Sequence, residues 1–212
     1  MPGRGVAADR HVMEGDMMNA QRQYKGVEDS AISANIEPRR TAALALWRYG
    51  HDYLKSAQQL CESDRVTCNE SQALYHLAAQ GIEFALKSFL RAQGVSPADL
   101  SSRIGHSLLD ALQEALARGL PSPPAEVMHT IQTFAPHLRD DQFRYVAALY
   151  GDFPDLGPLL TAGVWILAQS AESAVTDYFV YYGLGTRADE GAMLRRMRAD
   201  LDATASRIPR LQ

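Results

Sequence analysis

Glu83 and Lys87 stand four residues apart in Gln80-Gly81-Ile82-Glu83-Phe84-Ala85-Leu86-Lys87. On a helix this spacing brings them to one side, in the favourable Glu-before-Lys order. An exposed pair of this kind is worth only about 0.3 kcal/mol. The neighbours are apolar, however, and a buried carboxylate must find a fixed cation. Arg144, in Phe-Arg-Tyr, can give a carboxylate two parallel hydrogen bonds, which lysine does less well. His106 follows the helix after a loop. The expectation is that Glu83 meets Arg144, with Lys87 and His106 close by at the mouth of the bundle. Plainer readings compete: His106 as a locally bonded residue at a helix start, and Arg144 as the anchor of an irregular loop. On the surface, Glu83 and Arg144 would be free for a ligand.

A second set lies near the C-terminus. Tyr178, Phe179, Tyr181 and Tyr182 are clustered, and aromatic rings can stack bases. Beyond them Arg187, Arg195, Arg196, Arg198, Arg207 and Arg210 outnumber Asp189, Glu190, Asp200 and Asp202. Tyr181, Tyr182, Arg187, Arg195, Arg196 and Arg198 form a candidate basic and aromatic surface for phosphates. The plainer alternative is an aromatic core or dimer contact beside a solvated helix face.

Helices must position both sets. Leu74, Leu77, Ala78, Gly81, Ile82, Ala85, Leu86 and Phe89 recur at helical spacing over 71–94, a stripe wide enough for the centre of a bundle. Asn69 is the expected cap, and Gly94 the stop, with Pro97 beyond it. Before it, a helix is expected from Glu37-Pro38 to about Ser63, its apolar face including Leu46, Trp47, Gly50 and Leu54. After it come a short helix at Ala98 to Ser102 and a helix from near Gly105-His106 to Gly119. The next begins after Ser122-Pro123-Pro124 and is expected to stop at Pro136. A stretch from His137 to Pro154 reads as irregular, with one short helix around Arg144. Asp155 opens the longest apolar helix, which runs to about Tyr182, and a final amphipathic helix spans roughly Ala188 to Ser206. Strand-like alternation is absent. The reading is an all-α, antiparallel up-and-down bundle of four to five core helices. Residues 1–36 form a weakly ordered tail, 37–185 the bundle, and 186–212 an extra helix and tail.

The 212 residues are 46 % hydrophobic, enough to bury a sizeable core, and the formal charge of −4 gives no global attraction to nucleic acid. Cys61 and Cys68 lack the further ligands and the spacing of a zinc site, and read as free thiols in a reducing compartment. No metal and no cofactor are expected. Leu159 to Ala168, the most apolar stretch, is about half the ~20 residues of a membrane span. With no secretory signal, the expected location is the cytoplasm, without membrane contact. A Gly-rich phosphate loop, a nucleophile elbow and a helical zinc-protease motif are all missing, which argues against conventional kinases, hydrolases and metalloproteases.

Three features together resemble the HEPN domain family over roughly residues 40–182. They are the two long helices joined by a short turn, with Trp47 and Tyr53 in the first; the run Gln80 to Leu90, with Glu83 and Lys87; and Gly105-His106-Ser107-Leu108-Leu109 after a loop. The resemblance implies a helical bundle, often a homodimer. It implies either a metal-independent ribonuclease or a module that binds RNA, nucleotide or a protein partner such as a nucleotidyltransferase, in toxin–antitoxin or defence settings. Nuclease members carry an arginine and, four to six residues later, a histidine. Here Arg144 is followed by Leu149, Tyr150 and Gly151 instead. Tyr150 is a poor base at neutral pH, since an unperturbed phenol ionises near ~10. The departure favours a non-catalytic binding module over a divergent ribonuclease or a ligand-free dimerising scaffold.

Overall fold

A computed structural model describes residues 42–63, 71–139, 155–183 and 185–208. Among these, all regular structure is helical and none is strand. The helices are α1 (Ala43–Glu62), α2 (Gln72–Ala92), the single turn α3 (Pro97–Asp99), α4 (Leu108–Ala117), α5 (Ala125–Arg139), α6 (Leu156–Tyr182) and α7 (Arg187–Ala205). A π-helical turn, Leu100–Ile104, extends α3. The expected all-α bundle is therefore present.

The centre is α1, α2 and α6. Ser88 Oγ of α2 donates to the Ala43 carbonyl of α1 at 2.8 Å, and a Cβ on Gly50 would lie 2.9 Å from the Gly81 carbonyl oxygen. Early α1 thus meets late α2, and the two run antiparallel. Trp47 Nε1 donates to the Leu167 carbonyl at 2.9 Å, while Leu54 packs at Gly163, so α6 also opposes α1. Both partners of α1 consequently run the same way.

Three glycines make this approach possible. A Cβ on Gly81 would stand 2.6 Å from Leu54 Cγ, and one on Gly163 would stand 2.7 Å from the Leu54 methyls. Leu54 itself is fully buried, a gain of about 2 kcal/mol for a leucine side chain. The apolar stripe of α2 brings Ile82, Ala85 and Leu86 into the same core, all at 0 % exposure. Around this centre α4 contributes Leu108 and Leu112, α5 Ile131 and Phe134, and α7 Met197 and Leu201.

Several boundaries differ from expectation. The first helix begins at Ala43, because Ala42 is extended at φ −64°, ψ 145°; Glu37 and Pro38 lie outside the described residues. Ser71, not Asn69, occupies the N-cap of α2, and Asn69 also lies outside them. Ser107 caps α4 by accepting from the Asp110 N–H at 3.3 Å, which moves the start from 105–106 to Leu108. Pro136 does not stop α5, which runs on to Arg139. Its ring fixes a helix-compatible φ; the missing N–H removes one bond of the ladder, to the Gln132 carbonyl, and only three residues of the helix follow it. The two expected glycine stops hold: Gly94 has φ +82°, and Gly183 sits in the left-handed region at φ +59°. Thr186 and Asp189 close a reciprocal capping box that launches α7.

The thiol reading is corrected. Cys61 is disulfide-bonded, and the only other cysteine in the sequence is Cys68, which lies outside the described residues. Six residues separate these two cysteines in the sequence, near enough for a bridge across a turn. The expected tail at 1–36 and the segment 140–154 also lie outside the described residues.

Candidate functional site

Glu83 sits on α2 with 4 % of its surface exposed. Helical periodicity places it among Ile82 and Leu86, so its carboxylate is largely shielded from water and takes partners from the protein. Lys87, one turn on, donates to Oε1 at 2.6 Å with its own side chain only 13 % exposed. His106 approaches from the other side: Nδ1 lies 3.0 Å from Oε1 and 3.2 Å from Oε2. Gln80 Nε2 adds a longer contact to Oε2 at 3.4 Å.

Local folding explains the approach of His106. The π-helical turn ends at Gly105, whose φ of +56° and ψ of −125° reverse the chain before α4. A side chain would be strained in that conformation, so glycine is the residue that permits the turn. The reversal carries His106 back over α2. Its ring remains 70 % exposed while the carboxylate it contacts is buried. With a carboxylate on Nδ1, that nitrogen is the donor and Nε2 is the free position.

Beside the ring is a cavity of about 200 Å³ lined chiefly by Leu46, Phe84, Lys87, Pro97, Leu100 and His106. It joins an apolar wall to an ammonium and an imidazole. The arrangement can hold a planar or apolar group against Phe84 and Leu100 and offer a proton donor or acceptor at its rim.

The structure brings Glu83, Lys87 and His106 together. Arg144 and Tyr150 lie outside the described residues, and Glu83 already has Lys87 as its cation. The C-terminal set is only partly assembled. Tyr181 is 67 % exposed and edge-packed on Tyr182 at 4.9 Å, and Tyr182 in turn contacts Tyr178 at 4.8 Å. Arg187, Arg195, Arg196 and Arg198 are exposed along α7, and Arg196 shares a cavity wall with Phe179. That cavity also contains Arg48, His51 and Lys55, which the sequence reading did not single out. Their signal was a run of ionisable residues three and four apart on α1, interleaved with its apolar face.

No group of three or more metal-ligating side chains occurs among the described residues. No helix among them is long and apolar enough to cross a membrane. Comparison with family models, curated proteins and solved structures finds no match. The resemblance to HEPN domains therefore rests on the residues that carry it.

Proposed function

We propose that this chain is a non-catalytic HEPN-like module that binds single-stranded RNA at the mouth of the bundle. One observation carries the reading: a buried carboxylate holds an exposed imidazole at the rim of an apolar cavity. Unstacked bases are recognised by aromatic and apolar surfaces together with side-chain hydrogen bonds, and His106, Phe84 and Leu100 combine these features. Lys87, held by Glu83, lines the same cavity and adds a hydrogen-bond donor beside the ring. The wider setting follows the resemblance: a cytoplasmic homodimer working beside a protein partner such as a nucleotidyltransferase, in toxin–antitoxin or defence biology.

A second reading, a divergent metal-independent ribonuclease, draws on the same contact. A carboxylate on Nδ1 orients an imidazole for proton transfer at Nε2. One experiment addresses both. A labelled single-stranded RNA oligomer is titrated with the full chain and with His106→Ala, by fluorescence anisotropy and by gel analysis of the RNA. Binding of intact RNA that weakens about tenfold in the variant, a loss near 1.4 kcal/mol, supports the module. Cleavage that disappears in the variant supports the ribonuclease. RNA bound equally by both proteins would remove His106 from the site.

A further inference from the structure

A larger cavity, of about 580 Å³, lies between α1, the end of α6 and α7. We propose that it binds a monosaccharide phosphate. This inference is independent of the RNA reading, because the cavity shares no lining residue with the one beside His106.

The cations come first. Arg48 and Lys55 project from α1 seven residues apart, and Arg196 comes from α7. None of them forms an ion pair or side-chain hydrogen bond with another described residue. Three unpaired cations around one concavity suit a dianionic phosphate, for which guanidinium supplies paired donors.

The carboxylates point to the rest of the ligand. Asp189 is occupied, accepting from the Thr186 N–H at 2.8 Å and the Thr186 hydroxyl at 2.9 Å. Asp200 and Asp52, the latter 3.7 Å from His51 Nδ1, remain on the cavity wall, leaving two carboxylates against three cations. A ligand that carried only negative charge would be repelled by them. One that couples a phosphate to a hydroxylated body gives each carboxylate a hydroxyl donor.

His51 belongs to the same wall. Only 8 % of the residue is exposed, it stacks on Trp47 with ring centroids 5.4 Å apart, and Nδ1 lies 3.7 Å from Asp52 Oδ1. Phe179 supplies an aromatic wall for the carbon–hydrogen face of a sugar ring. The volume falls within the roughly 300–1,000 Å³ of small-molecule sites.

The test is calorimetric titration of the full chain with glucose 6-phosphate, glucose, inorganic phosphate and AMP. Glucose 6-phosphate should bind about tenfold or more tighter than either inorganic phosphate or glucose, since each lacks one half of the recognised chemistry. Arg196→Gln and Arg48→Gln should each weaken it by about tenfold, the scale of one lost charge-assisted contact. Asp200→Asn should weaken glucose 6-phosphate and leave inorganic phosphate unchanged. Arg103→Gln, which removes a cation elsewhere, and His106→Ala should change neither. Thermal unfolding of each variant checks the fold. If Arg48→Gln proves unstable, Arg196→Gln, at an exposed position, carries the test. Equal binding of inorganic phosphate and glucose 6-phosphate would overturn the proposal. So would selective binding of AMP, or indifference to the arginine substitutions.

Discussion

His106 Nδ1 lies 3.0 Å from Glu83 Oε1, yet the ring is 70 % exposed and the carboxylate side chain 5 % exposed. Lys87 and His106, both in contact with this carboxylate, therefore differ in consequence. Lys87, 2.6 Å away and largely buried, neutralises the carboxylate in a medium of low polarity. His106 spans from that interior to solvent.

Removing Lys87 should be the more damaging change. Lys87→Met leaves a buried carboxylate without its closest cation, and breaking such a pair commonly costs about 3–5 kcal/mol. His106→Ala removes a mostly exposed contact and should cost at most about 1 kcal/mol. Denaturant unfolding of Glu83→Gln, Lys87→Met and the double variant measures the coupling. A double variant much less damaged than the sum of the singles is the expected result. Additive losses of a few tenths of a kcal/mol would show an ordinary surface pair.

The close approach of α1, α2 and α6 gives the second prediction. Gly81→Ala places a methyl group 2.6 Å from Leu54 Cγ, and overpacking of this kind costs about 1–3 kcal/mol. Leu54→Val should cost less in the Gly81→Ala background than in the wild type, because the smaller side chain yields room. Urea unfolding of the two single variants and the double variant tests this. Independent effects would mean that the helices move apart instead.

Helical periodicity makes the bundle legible in the sequence. The apolar stripe of α2 and the stops at Gly94 and Gly183 are local features, set by residues close in sequence. Glu83 was recognisable as a charge in need of a partner for the same reason. The choice among Lys87, His106 and Arg144 was not readable, because it depends on how Gly105 reverses the chain. Pro136 lies in the last turn of α5, where losing one bond of the ladder does not end the helix at once. The large cavity was also hidden. Arg48, His51 and Lys55 share an unremarkable polar strip on α1, and only the docking of α7 sets Arg196 and Asp200 opposite them.

The disulfide at Cys61 offers a test that does not depend on function. Mass spectrometry of the denatured chain, with and without reductant, should show a gain of two hydrogens on reduction and no intermolecular species. Closing a short loop removes few conformations from the unfolded chain, so reduction or Cys61→Ser should lower stability by only about 2 kcal/mol. A chain already carrying two free thiols after non-reducing purification would contradict the bond.

Glu114 sets the expected acid limit of part of the bundle. Its carboxyl is held down to about 2 from an ordinary 4.5, first by the Arg103 hydrogen bond and then by that of Arg118. Arg103 Nη1 lies 2.9 Å from one carboxylate oxygen, and Arg118 Nε 2.6 Å from the other. Between those two pH values the unfolded chain binds a proton that the folded chain refuses. The contribution is therefore fully present above about 4.5 and is lost as pH falls through about 2. Glu114→Gln should reduce stability at neutral pH and flatten its decline across that window. High salt should have a similar but weaker effect on the wild type, since these groups are partly exposed and screened. An unchanged acid limb in Glu114→Gln would show that the two arginines leave the carboxylate in solution as readily as they hold it.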